Sequence, residues 1–234
     1  MAGNDVTWLS HASFSITTTG GKVILIDPWM SGNPLAVSDA EDITQADLIL
    51  VTHGHFDHTG DAGAISKATG GVIVGMPETV SQLKDEHQLP DENIVLGGMG
   101  MNIGGTVTVN NIQITMTQAF HSSESGAPCG YILTLEDGTT IYHAGDTGIF
   151  SSMAILGEIY SIDLALLPIG SVFTMDAIQA SAALKMLKPT KVIPMHYKTF
   201  PILAQDPLEF VDMAGKQAPT VEVVVLEPGQ SCTV

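Results

Sequence analysis

The sequence predicts an α/β fold of two mixed β-sheets sandwiched between helices, and three observations predict it. About a dozen short strand-like runs alternate between hairpins and βα units, which calls for sheets that are parallel in some places and antiparallel in others. Apolar residues make up 44% of the chain against 14% charged, enough to fill a sizeable core and too apolar for a disordered chain. At 234 residues the chain is expected to form one domain, 1–234, with function carried by loops at one edge.

The chain opens with a meander: Val6 to Leu9, Phe14 to Thr18 and, after Gly20-Gly21, Val23 to Ile26 read as strands joined by tight turns. Asp47 to Val51 is a continuous apolar run that delivers the polar stretch THGHFDHTGD to the rim of a sheet. A small-residue helix over Asp61 to Ala68, a strand at Val72 to Val74, a helix from Pro77 through Leu89 and a short strand at Ile94 to Leu96 follow. Two hairpins with primed turns are expected next, Val107–Val109 with Ile112–Met116 about Asn110-Asn111, and Tyr131–Leu135 with Thr140–His143 about Asp137-Gly138. Leu164 to Leu167 is a strand. Asp176 with Gln179 resembles a capping box, and Ala180, Ala183, Leu184 and Leu187 form the apolar stripe of a helix that stops at Pro189. Lys191 to Met195 and Val221 to Leu226 complete the strands.

Charge narrows the partners. Eight Lys and no Arg face 25 Asp and Glu, a net charge of −17. A field of that sign, without guanidinium forks, repels long nucleic acid and anionic membrane surfaces, so neither is expected as a partner. A small-molecule substrate is expected instead, and self-association into a homo-oligomer is left open. No apolar run reaches the length of a membrane span, the N-terminus has no basic stretch leading into an apolar one, and Cys129 and Cys232 form no CxxC pattern; a cytoplasmic location with reduced thiols is the expectation.

Three of the eight histidines crowd into Thr52-His53-Gly54-His55-Phe56-Asp57-His58. Imidazole and carboxylate at this density, directly after a buried strand, suit a divalent ion of intermediate softness better than they suit a solvated polar loop. Such an ion lowers the pKa of bound water from 15.7 to about 7, so the expected chemistry is attack by a metal-activated hydroxide on a carbonyl or phosphoryl centre.

The stretch is an HxHxDH motif and resembles that of the metallo-β-lactamase superfamily, as do His121 in QAFHSSES, Asp146 in YHAGDTG and His196 in IPMHYKTF. Within it, WLSHASF, IDPW, HAGDTG and IPMHYKTFP followed by QDP resemble the small family of uncharacterised metal-dependent hydrolases related to the ascorbate-phosphate lactonases, over roughly Val6 to Pro228. The resemblance implies a four-layer αββα sandwich and two divalent ions, zinc first, with manganese, iron or nickel as alternatives. It implies that His53, His55 and His121 hold one ion, that Asp57, His58 and His196 hold the second, and that Asp146 bridges them. Asp57 would also orient the bridging hydroxide. The implied activity is binuclear hydrolysis of a small ester, lactone or phosphodiester. In the same comparison Gly54 is only filler, and Asp176 stands where the family would carry Gly.

Other residues carry weaker expectations. Asp27, at the end of VILID, is expected to accept a hydrogen bond from a ligand histidine, and His143 either does similar work or is a satisfied core histidine. Lys198 is the candidate grip for a substrate anion. His87 reads as a surface residue, and Cys129 as a small buried hydrophobe. His11 is left over from the ligand set, so it is expected to face the substrate, holding it or protonating the leaving group. Two other readings compete with hydrolysis: a mononuclear iron, dioxygenase-like oxidoreductase on the same scaffold, since these donors also suit iron, and a non-catalytic metal-binding protein.

Overall fold

The computed structural model describes residues 3–234. Five strands open the chain: β1 (Asp5–Ser10), β2 (Ser13–Thr17), β3 (Val23–Ile26), β4 (Leu48–Leu50) and β5 (Val72–Val74). Seven more follow: β6 (Thr106–Val109), β7 (Ile112–Gln118), β8 (Cys129–Thr134), β9 (Thr140–His143), β10 (Leu164–Pro168), β11 (Lys191–Met195) and β12 (Glu222–Val223), and β13 (Ser231–Thr233) closes the chain. The first sheet runs β13-β1-β2-β3-β4-β5 and the second β12-β11-β10-β9-β8-β7-β6. Both are mixed, because hairpins pair antiparallel whereas β3-β4-β5 and β9-β10-β11-β12 pair parallel through crossovers.

Side-chain alternation explains the layering. In the first sheet Ile24, Ile26, Leu48, Leu50 and Val74 face the second sheet, where they meet a core that includes Ile112, Ile114, Met116, Tyr131 and Leu166. Their neighbours Leu25, Ile49 and Ile73 face the other way, into a separate cluster with Ile65, Val80 and Leu83. Those last residues belong to the covering helices α2 (Ala62–Thr69) and α3 (Pro77–His87), which follow the single turn α1 (Phe56–Thr59). After the short α4 (Val95–Gly98), the helices α5 (Met153–Ile159), α6 (Ala177–Leu187) and α7 (Leu208–Gln217) cover the second sheet. The result is the αββα sandwich. Among the described residues no helix is long and apolar enough to cross a membrane.

Local details correct several sequence expectations. Ile94 makes one isolated bridge to Ile73, and the chain then turns helical with Leu96 and Gly97 at φ +57° and +65°, so 94–96 is not a strand. Asn110 and Asn111 do form a primed turn, at φ +52° and +66°. The β8–β9 connection instead closes with Leu135 N–H donating to Thr139 C=O, a three-residue loop whose Gly138 takes φ +92°. Asp176 caps α6 by accepting from Gln179 N–H, but the reciprocal half of the box is missing because the Gln179 side chain accepts from Ile149 N–H. Only Glu222–Val223 of the last expected strand is paired, and α5, α7 and β13 had no clear sequence signal.

Candidate metal centre

The site lies where strands of both sheets end. β4 delivers Thr52 and His53, after which His55, Asp57 and His58 follow within one helical turn. β7, β9 and β11 of the second sheet lead to His121, Asp146 and His196. The carboxyl ends of parallel strands are the usual seat of function in open α/β sheets, since there backbone ends and side chains converge.

Two groups result. His53, His55 and His121 bring ring nitrogens within 4.8 Å of one another, and His11, His58 and His196 do the same with a carboxylate oxygen of Asp57. Asp146 stands between them: its Oδ2 lies 2.9 Å from His196 Nε2, 3.3 Å from His58 Nε2 and 3.5 Å from His121 Nε2. The residues expected as ligands are therefore gathered in one place, together with His11, which was expected outside the ligand set.

The donor chemistry fits a divalent cation. His58 Nδ1 donates to Asp27 Oδ2 at 2.7 Å, so in a neutral ring Nε2 is a lone pair facing a carboxylate. That nitrogen and, separately, Asp146 Oδ1 are buried without a hydrogen-bond partner, a costly arrangement that a bound cation would relieve. Burial opposes charge on His58, yet Asp146 and Asp27 on either side hold its pKa well above the ordinary imidazole value. At Asp146 burial likewise opposes ionisation, but His196 and His58 keep the carboxyl well below the usual range. His53 Nε2 and His55 Nδ1 approach to 2.9 Å, so two imidazole nitrogens share one position. Burial, with His58 nearby, keeps the His53 ring far below its ordinary pKa and therefore neutral, the form that ligates.

A buried frame orients these rings. Asp27 is fully buried and takes three bonds, from Thr52 N–H at 2.8 Å, Thr52 Oγ1 at 2.6 Å and His58 Nδ1. Since the Thr52 hydroxyl proton goes to Asp27, His53 Nδ1 donates to Thr52 Oγ1 at 3.0 Å and turns its Nε2 into the site. Thr52 was missed because a threonine before a histidine carries no sequence mark of its own. Two glycines let segments close on the frame. Gly54 is more than filler: a Cβ there would stand 2.7 Å from Ser125 N, and its own N–H donates to Ser123 Oγ at 3.0 Å, locking the loop that carries His121. Gly145 takes φ +63°, and a Cβ would press within 3.2 Å of Thr52 Cβ.

His11 is fully buried, in the turn between β1 and β2 at φ +52°, and it lies behind the cavity rather than on its wall. Its Nε2 donates to Asp57 Oδ2 at 3.1 Å, and its Nδ1 accepts from Thr199 Oγ1 at 3.0 Å. The expectation that it faces the substrate is corrected: it reaches the site through Asp57. Burial and the neighbouring His196 pull the ring down to about 4. At Asp57 burial raises the pKa, but the His11 hydrogen bond and His58 win and hold the carboxyl well below its usual range.

Lys198 is also corrected. It points to Glu227 Oε2 at 3.2 Å, outside the cavity, so it grips no anion there. His143 donates from Nε2 to Ala12 C=O at 2.9 Å and accepts from Gly145 N–H at 3.1 Å, joining the two sheets and fixing the turn before Asp146 without touching a ligand ring. His87 is half-buried over Gly63. The Cys129 thiol is pushed up to about 12 by burial and is no nucleophile at neutral pH.

Above the centre opens a cavity of about 510 Å³ with His55, Asp57, His121, Asp146 and His196 on its floor. Residues 22–197 match the family model described as Beta-lactamase superfamily domain. A UPF0173 metal-dependent hydrolase of Nitratidesulfovibrio vulgaris is 50% identical over 229 residues, covering 98% of this chain and 95% of that one. One from Pyrococcus furiosus is 46% identical over 232 residues, covering 97% of each. Among solved structures Igni18, described as a novel metallo hydrolase from Ignicoccus hospitalis, superimposes with TM-score 0.87 at 38% identity, covering 99% of this chain and 98% of that one. An isothiocyanate hydrolase from Delia radicum gut bacteria, at 18% identity and TM-score 0.77 over 98% of each chain, shares the fold.

Proposed function

The chain belongs to the UPF0173 metal-dependent hydrolase family of the β-lactamase superfamily, and from that premise we propose that it hydrolyses a small ester, lactone or phosphodiester at a centre of two divalent ions. The observation that carries the reading is Asp146, whose one carboxylate lies within 3.5 Å of histidines from both ligand groups. His53, His55 and His121 would hold one ion, and Asp57, His58 and His196 the other, with zinc the first candidate for such a donor set. When bound, the ions would supply Lewis acidity and a water that ionises near neutral pH.

The chain's own groups account for the rest. Asp57 reaches the cavity floor and, held ionised by the His11 N–H, can accept a hydrogen bond from an attacking water and orient it. His11, neutral near pH 7, is a positioning residue: it fixes the Asp57 carboxylate and turns one of its oxygens away from bulk water. Asp27, through His58 Nδ1, keeps that ring's Nε2 aimed at Asp146.

The test is elemental analysis of protein purified without chelator, followed by assay on simple lactones, 4-nitrophenyl esters and bis(4-nitrophenyl) phosphate before and after chelation. One to two equivalents of metal and chelator-sensitive hydrolysis are expected. Protein that takes up no metal overturns the reading, as does oxygen consumption without hydrolysis.

A further inference from the structure

We propose that the substrate is a neutral ester or lactone carrying a hydrocarbon chain or aromatic ring, bound by an apolar wall above the metal centre; this rests on the hydrolase reading and narrows it. Phe56, Phe173, Phe200 and Ile202 line the cavity. Phe56, Phe173 and Ile202 leave 63%, 54% and 58% of their surface exposed. Single exposed apolar residues are common, but large ones gathered around one concave mouth mark a binding surface.

The wall is built rather than incidental. Trp29, almost fully buried, stacks on Phe200 at 5.8 Å between ring centroids and meets Phe56 edge-on at 5.7 Å, so two of the rings are braced from behind. Phe173 projects from a loop in which Ser171 and Val172 sit at φ +63° and +36°. A β-branched residue at positive φ is strained, and the strain persists because the surrounding loop holds it.

Charge favours the neutral substrate over the anionic one. Among the described residues no lysine lines the cavity, the sequence has no arginine, and Lys198 is paired with Glu227 outside it. Glu124 stands on the cavity wall instead. A phosphodiester would bring its negative charge past a carboxylate and find no side-chain cation beyond the proposed ions themselves, whereas a neutral carbonyl compound meets no such barrier. In the reaction the water oxygen bonds to the carbonyl carbon and the acyl C–O bond breaks. One water proton goes to the departing alkoxide, and the acid product releases the other.

The inference is tested with 4-nitrophenyl acetate, butyrate and hexanoate against bis(4-nitrophenyl) phosphate, on the metal-loaded full chain. kcat/KM should rise about twofold to fourfold per methylene and, taken relative to each compound's uncatalysed hydrolysis, be larger for the esters than for the phosphodiester. In the double variant Phe173→Ser, Ile202→Ser the hexanoate-to-acetate ratio should fall towards one. Independently, the neutral fluorophore N-phenyl-1-naphthylamine should bind the wild type and bind the variant about tenfold more weakly, with an unchanged circular dichroism spectrum confirming that the variant folds. A flat chain-length series or preference for the phosphodiester overturns the inference while leaving a hydrolase. Absence of all chelator-sensitive hydrolysis overturns the hydrolase reading, and the fluorophore then still decides whether the apolar wall binds: equal binding to both proteins refutes it.

Discussion

Replacing Asp27 with Asn changes two atoms' worth of chemistry at the most constrained point of the site. Its backbone sits at φ +46°, which Asn tolerates as well as Asp, so the substitution adds no conformational strain. In the native protein Oδ1 receives Thr52 N–H, and Oδ2 receives both the Thr52 hydroxyl and His58 Nδ1. An amide can satisfy only part of this. With its oxygen towards His58, its NH2 meets Thr52 N–H, donor against donor. Flipped, the NH2 faces His58 Nδ1, which must become an acceptor and move its proton to Nε2, the atom aimed at Asp146. The first arrangement leaves one buried donor unpaired at about 1–3 kcal/mol. The second blocks a metal donor, a loss of about 10–100-fold in affinity. Competition against a chromophoric chelator measures the affinity and thermal unfolding the stability. Asp27→Asn with native metal affinity and native melting temperature would show that this carboxylate orients nothing.

Gly54→Ala should destabilise the protein by about 1–3 kcal/mol, because the new methyl overlaps the Ser125 backbone; a denaturant melt at native midpoint would contradict that close approach. His11→Gln should lower kcat about 10–100-fold through a misplaced Asp57. Metal analysis of the same variant assigns the role: full loading keeps His11 as the positioning residue, loss of one equivalent makes it a ligand, and unchanged turnover with unchanged metal refutes both. The chelated protein should lose stability as pH falls from about 6.5, the unfolded value, towards 4. In that window the unfolded chain binds protons that His11, lowered to about 4, and His53, His121 and His143, also lowered by burial, refuse when folded. His58, raised, acts in the opposite sense but is one ring against four. Melting temperatures that climb from pH 6.5 to 5 would refute this balance.

Much of this was legible in the sequence because local pattern and local structure agree there. The apolar run ending at Val51 is a central strand buried on both faces, and the spacing of His53, His55, Asp57 and His58 survives as a strand end and one helical turn. What pattern could not carry was the third dimension. His11 looked unemployed because its partners, Asp57 and Thr199, are distant in sequence and meet it only when the β1–β2 turn packs against the end of β11. Lys198 looked poised because it is two residues from His196, but the chain turns at φ +69° and sends it to Glu227. The apolar wall was invisible for the same reason: Phe56 comes from the start of α1 and Phe173 and Ile202 from two separate loops, and each alone is an ordinary exposed residue. Ile94 to Leu96 has strand-like composition, yet the glycines at 97 and 98 favour the left-handed turn that ends the pairing.

The division of the proposed ligands between the sheets would also set an order of events during folding. The first sheet contributes the contiguous 53–58 segment, and the second contributes His121, Asp146 and His196 from three different strand ends. A newly made chain can therefore offer an ion only the short 53–58 stretch, a flexible and leaky chelator. In the proposed ligand set each ion draws donors from both sheets, so tight capture would wait until the sheets have docked. With that ligand set, a molecule that keeps its ions through a desalting column would be one whose two halves have already come together.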